Sequence, residues 1–144
     1  MWLAADVDDD RQATIARVLT TTRRWAVVGL SANDRRPAHA VARFLQQSLG
    51  IEIVPVHPKA ETVHGEVGYA TLADVPGPVD VVDVFVRSEL AGTIVDEAIA
   101  LGARAVWLQL GVVDGPAAAR ARAAGLDVVM DACPAIEAPR LGIV

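Results

Sequence analysis

The stretch Trp25-Ala26-Val27-Val28-Gly29-Leu30-Ser31-Ala32-Asn33-Asp34-Arg35-Arg36-Pro37 decides the fold. It begins as an apolar run of strand length over Trp25–Leu30, carries a glycine at the end of that run, and passes through a short polar turn. It then meets a proline suited to the first turn of a helix. The same alternation continues along the chain. Strands are predicted near Ile51–Val56, Val79–Val86, Ala105–Leu110 and Asp127–Met130, with a short additional one near Val67–Tyr69. Helices are predicted over Pro37–Ser48, Ser88–Leu101 and Pro116–Ala124. Pro37 and Pro116 suit first-turn positions, Ser88 suits a cap, and Gly50, Gly102 and Gly125 suit helix stops.

Val79–Val86 is almost apolar throughout, as a strand must be when helices cover both faces of a parallel sheet. The fold class is therefore α/β, a doubly wound parallel sheet. It is preceded by an amphipathic helix, about Asp9–Thr21, with Ile15, Val18 and Leu19 on one face. The 144 residues are read as one domain, with residues 1–22 as a helical extension. The longest irregular segment, Pro58–Pro78, is either a cover over a site or a connection carrying an edge strand.

Composition narrows the function classes. The start, Met1–Asp10, has a short apolar patch and an acidic run but no cationic leader, and no apolar stretch approaches the ~20 residues of a membrane helix. Cys133 is the sole cysteine, which excludes an intrachain disulfide and fits a reducing cytoplasm. A formal net charge of −5 argues against a general nucleic-acid binder. The charge is unevenly spread: residues 20–65 hold Arg23, Arg24, Arg35, Arg36, Arg43 and Lys59 against Asp34, Glu52 and Glu61. That window also holds His39, His57 and His64. A local cationic pocket on an acidic body suits one small polyanion. The histidines lack the spacing of a compact zinc site, and no metal is expected.

Ligands of such sheets bind beyond the carboxyl ends of the strands, which directs attention to Gly29–Arg36, His57–Lys59, Val86–Ser88 and Gln109–Val112. The first turn places Gly29, Ser31, Arg35 and Arg36 just before a helix N-terminus, where free amides and the helix dipole favour phosphate. The bland alternative is an ordinary tight turn with a solvated arginine pair. An NAD site would want G-x-G-x-x-G here and an acid after the second strand. Both are missing, and Val56 runs into His57-Pro58-Lys59. That selects against NAD and leaves coenzyme A, with its 3'-phosphate, or NADP. Trp25 and Trp107 read as core, with Trp107 a lesser candidate for ligand contact. Cys133 reads as a buried thiol, and Asp80 and Asp83 as acceptors of backbone hydrogen bonds at the site rim.

Longer segments carry a family resemblance: Val28-Gly29-Leu30-Ser31 with Arg36-Pro37, then Pro55-Val56-His57-Pro58-Lys59 and Asp80-Val81-Val82-Asp83-Val84-Phe85. Trp107-Leu108-Gln109-Leu110-Gly111 follows, and Gly125–Met130 leads to Cys133-Pro134-Ala135-Ile136-Glu137. Over about Trp25–Leu141 the chain resembles the CoA-binding domain family, the stand-alone relatives of the succinyl-CoA synthetase alpha-subunit N-terminal domain. The resemblance implies a Rossmann-like sheet of order 3-2-1-4-5-6 with coenzyme A across its carboxyl edge. It assigns phosphate contacts to Gly29, Leu30, Ser31, Ala32 and Arg36, and the adenosine border to Pro58 and Lys59 beside His57. Val84, Phe85, Val86 and Arg87 would lie along the cofactor, and Gln109 in the deeper pocket. The chain departs from the family pattern at Ala38 and His39 after Arg-Pro, at His57 in place of asparagine, and at Phe85-Val86-Arg87-Ser88.

No Ser/His/Asp or Cys/His constellation stands at a recognisable spacing. The function expected is coenzyme A or acyl-CoA binding without catalytic apparatus, within a homo-oligomer or larger assembly and away from nucleic acid and membrane. An NADP- or acyl-CoA-dependent enzyme subunit, or an interaction domain with a degenerate pocket, are the alternatives.

Overall fold

The computed structural model describes residues 4–144, with side chains from Asp10 onward. The elements run α1 (Ala4–Thr21), β1 (Arg24–Val28), α2 (Pro37–Leu49), β2 (Glu52–Val56) and a 3-10 turn at Leu72–Asp74. They continue with β3 (Val81–Val84), α3 (Ser88–Leu101), β4 (Ala105–Leu108), α4 (Gly115–Ala123), β5 (Asp127–Val129) and α5 (Pro134–Arg140). None of the described helices is long and apolar enough to cross a membrane.

All strand pairs are parallel, in the order β2-β1-β3-β4-β5. The sixth strand expected near Val67–Tyr69 is reduced to one parallel bridge between Tyr69 and Val56. The Tyr69 amide donates to the Pro55 carbonyl at 2.9 Å, and the His57 amide donates to the Tyr69 carbonyl at 3.0 Å. The segment thus lies where strand 3 of the 3-2-1-4-5-6 order belongs. Pairing stops at that bridge, and the preceding Gly68 is pressed against the Glu61 backbone where a Cβ has no room.

Alternation along each strand makes two cores. Ala26, Val28, Val82, Val84, Val106 and Leu108 meet the small residues Ala91, Ala98, Ala117 and Ala121 of α3 and α4. On the other face Trp25, Val27, Ile53, Val81 and Trp107 meet Ile15, Val18, Ala42, Leu45 and Ala138 from α1, α2 and α5. Trp25 and Trp107 are both fully buried, their rings 5.5 Å apart. Each indole N–H is satisfied, by the Thr22 hydroxyl and the Ala132 carbonyl respectively. Trp107 is accordingly a core residue and does not reach a ligand.

Asp83 lies on the tryptophan face, paired in register with Val27 and Trp107. It is completely buried, accepts one hydrogen bond from Gln109 Nε2 at 2.7 Å, and has no partner for its second oxygen among the described residues. Burial pushes its pKa up to about 8 against the smaller opposing effect of the Gln109 bond, so it is a neutral acid at pH 7. Asp80 instead accepts from the Arg23 and Arg24 amides at the opposite, amino end of the sheet. Neither aspartate is the site-rim acceptor of backbone hydrogen bonds that the sequence suggested.

From adjacent ends, β1 leads to α2 on one face and β3 leads to α3 on the other, so the chains diverge between them. The Gly29 amide donates to the Val56 carbonyl and the Phe85 amide to the Val28 carbonyl, both at 2.8 Å. Gly29 adopts φ +104°, and a Cβ there would run into the Phe85 carbonyl.

Two outcomes follow. Gly29→Ala should destabilise the protein by roughly 2–4 kcal/mol in urea unfolding, from left-handed strain plus overpacking against backbone. The folded state holds the Asp83 proton up to about pH 8, whereas the unfolded chain releases it near 3.8. Stability is therefore greatest below the unfolded value and falls as pH rises through this window, by up to about 1.4 kcal/mol per pH unit. Asp83→Asn should remove that slope, seen as the difference between wild-type and variant unfolding curves from pH 5 to 8.

Candidate functional site

A crevice of about 710 Å³ opens at the divergence of β1 and β3, within the range of small-ligand sites. Its floor is made by the strand ends at Val28, Val56 and Phe85. One side carries Gly29, Ser31, Arg36, Pro37 and Ala38 from the β1–α2 turn, with His57 and Pro58 after β2. The other carries Val86 and Arg87 after β3, then Leu90, Thr93, Ile94 and Glu97 of α3. Ala70, Thr71 and Leu72 close the remaining edge.

Of the residues singled out in the sequence, Gly29, Ser31, Arg36, His57, Pro58, Phe85, Val86 and Arg87 therefore share one crevice. Leu30 and Val84 are fully buried in the two cores. Gln109 is buried against Asp83. Lys59 is exposed outside the crevice lining, and the Ala32 amide donates to the Glu61 carboxylate at 3.2 Å.

The turn consumes most of its own donors. The Asn33 amide donates to the Ser31 hydroxyl, the Arg35 amide to the Asn33 side-chain oxygen, and the Arg36 amide to the Asn33 carbonyl. Ser31 and Ala38 keep their amides without a protein acceptor among the described residues, and both line the crevice. Helix α2 has Pro37 at its start, no side-chain cap on Arg36 and no acid in its first turn. Its positive end is therefore uncompensated. Arg36 is exposed and makes no ion pair among the described residues, while Arg87 is only loosely paired with Glu89 at 3.8 Å, both side chains being largely exposed. The wall of Leu72, Leu90 and Ile94 is apolar, and Leu90 is 48% exposed.

This α3 wall and Ala70–Leu72 were not anticipated from the sequence. A signal existed for the wall: Leu90, Thr93, Ile94 and Glu97 recur at helical spacing on one face of α3, and Leu90 is apolar where solvent is expected. Residues 70–72 lie inside the long loop, which also borders the crevice at Pro58.

The remaining titratable groups are structural. The His39 and His64 rings lie 4.4 Å apart, and His64 Nε2 donates to the His39 carbonyl at 2.7 Å, tying the 58–78 loop to α2. Desolvation first, then His64 and Arg43, push the His39 pKa down, against an opposing pull from Asp34. Burial pushes the Cys133 thiol up at the start of α5, so this half-buried group stays protonated and unactivated. No group of three or more His, Cys, Asp or Glu residues capable of holding a metal occurs among the described residues.

The chain is similar to protein YneT of Bacillus subtilis (strain 168), with 35% identity over 122 residues, 85% of this chain and 90% of that protein. Its structure is similar to that of a protein from Pyrococcus horikoshii OT3, with a TM-score of 0.84 and 35% identity. That match covers 90% of this chain and 91% of the other. The fold also recurs in a Ca. Korarchaeum cryptofilum acetyl-coenzyme A synthetase, with a TM-score of 0.68 and 22% identity, over 81% of this chain and 28% of that one. The sequence pattern of the CoA binding domain matches residues 23–139. With that match spanning every strand and the crevice between them, the chain belongs to the CoA binding domain family.

Proposed function

We propose that this protein binds coenzyme A or an acyl-coenzyme A in the β1/β3 crevice and performs no chemistry of its own there. The observation that carries the reading is the pairing, in one crevice, of an uncompensated cationic end with an apolar wall. The Ser31 and Ala38 amides, Arg36 and the positive end of α2 suit a pyrophosphate. Leu72, Leu90 and Ile94 suit the uncharged part of a long ligand. A ligand with several phosphates joined to a weakly polar arm has both requirements at once. His57 and Pro58 border the ribose end, where the family resemblance puts adenosine, and Lys59 adds positive charge beyond the rim.

The crevice offers Glu97, His57 and two arginines as its titratable side chains, and the Ser31 hydroxyl oxygen accepts from the Asn33 amide. Among the described residues no hydroxyl of the crevice is hydrogen-bonded to a carboxylate or imidazole. A carrier, a sensor of acylation state or a subunit of a larger assembly all agree with such a site, and a cytoplasmic location goes with the lone unactivated thiol.

Thermal unfolding with coenzyme A, acetyl-coenzyme A, NADP and NAD tests this. Coenzyme A at 100 times its Kd should raise Tm by roughly 5–10 °C, from about 2.7 kcal/mol of added stability in a domain this size. Selective stabilisation by NADP would replace the reading, and no response to any of the four would refute it. Arg36→Ala should weaken coenzyme A binding roughly 10-fold or more by titration calorimetry, with the Tm of the free protein nearly unchanged. A comparable loss of intrinsic stability would mark Arg36 as structural instead.

A further inference from the structure

Resting on the coenzyme A reading, we infer that His57 determines specificity by recognising a phosphate on the ligand's ribose. The crevice then prefers a ribose-phosphorylated nucleotide to the same nucleotide with a free ribose diol.

In a doubly wound sheet the residue just past the second strand faces the nucleotide ribose, and sites for an unphosphorylated ribose place a carboxylate there to accept from its hydroxyls. His57 occupies this place and lines the crevice. Three of its four hydrogen-bonding atoms are already engaged. Its amide donates to the Tyr69 carbonyl at 3.0 Å, and its carbonyl accepts from the Ala60 amide at 2.7 Å. Its ring Nδ1 accepts from the Lys59 amide at 3.1 Å.

Because Nδ1 is an acceptor in that bond, the proton of the neutral ring sits on Nε2. Among the described residues it therefore presents one free polar group, an N–H donor, and no acceptor. A phosphate oxygen satisfies that donor fully. A ribose hydroxyl that accepts from it still needs an acceptor for its own proton, which His57 lacks. The carboxylate nearest in sequence, Glu61, is engaged by the Ala32 amide and does not line the crevice. The Lys59 ammonium, two residues on, adds charge of the sign a phosphate requires.

The geometry also says which substitutions spare the turn. An asparagine or aspartate Oδ1 accepts from the amide two residues on, as Nδ1 does here. His57→Asn keeps the turn and the donor. His57→Asp keeps the turn but replaces the donor with a charged acceptor. The test is calorimetric titration of the full chain and both variants with coenzyme A and with 3'-dephospho-coenzyme A, with Tm measured on each free protein.

Wild type should bind coenzyme A at least about 10-fold more tightly than the dephosphorylated form. His57→Asn should keep most of that ratio, and His57→Asp should bring it close to one, with Tm changing little in either. Equal wild-type affinities, or a ratio unchanged in His57→Asp, would overturn the assignment and leave the coenzyme A reading standing. Binding of neither ligand by wild type would overturn both.

Discussion

Between Val28 and Val84 two parallel strands run side by side and then leave on opposite faces of the sheet, with the Gly29 backbone passing hard against the Phe85 carbonyl. Everything at the site depends on that close approach. It requires a residue without a side chain in a left-handed conformation, and it is fixed from both flanks by the Gly29–Val56 and Phe85–Val28 hydrogen bonds. A bulkier turn would push β1 and β3 apart, separating Ser31, Arg36 and Ala38 on one side of the crevice from Val86 and Arg87 on the other. The crevice is thus a by-product of strand pairing and needs no loop closure to exist.

How the turn then spends its hydrogen bonds decides what the crevice can hold. Asn33 acts as an internal organiser: its side-chain oxygen and carbonyl accept from Arg35 and Arg36, and its amide is held by Ser31. These bonds make the loop rigid, but they remove donors that a more open glycine-rich turn would offer an anion. Two main-chain donors, the Ser31 O–H, the Arg36 guanidinium and the positive end of α2 are what the crevice would offer a phosphate. Such a site relies on charge more than on a full ring of amides. Its affinity is therefore more exposed to salt than that of a site built wholly from buried amides.

Much of this was legible in the chain because local rules and tertiary packing agree. Pro37 begins α2, Gly50 and Gly102 end α2 and α3 in left-handed conformations, and the apolar strands are buried on both faces. The failures fall where tertiary context overrides a local signal. Val67–Tyr69 has strand-like residues, but Gly68 is pinned and pairing stops after one bridge. Ser88 reads as a cap, yet Arg87 is the N-cap and the Ser88 hydroxyl reaches across to Gly111 and Val113. The last helix, Pro134–Arg140, was not foreseen, since seven residues containing Pro139 carry little periodicity. Leu30, Val84 and Gln109 adjoin the strand ends in sequence, but their side chains point into the interior, which position along a strand does not reveal.

The departures from the family pattern are instructive because each leaves the main chain intact. Ala38 lacks a hydroxyl, but its Cβ packs into the core at 2% exposure while its amide stays available to the crevice. His39 has turned from the site to the loop: its carbonyl receives the His64 ring, and its own ring lies against it. His57 keeps, through Nδ1, the two-residue turn that an asparagine would make. Ser88 ties the start of α3 to the loop after β4, which steadies the Arg87 end of the crevice. A crevice whose shape is set by strand divergence can exchange side chains in this way without losing its form. What such exchanges alter is which ligand would fit best, since Ala38, His57, Phe85, Val86 and Arg87 among the replaced positions line the crevice.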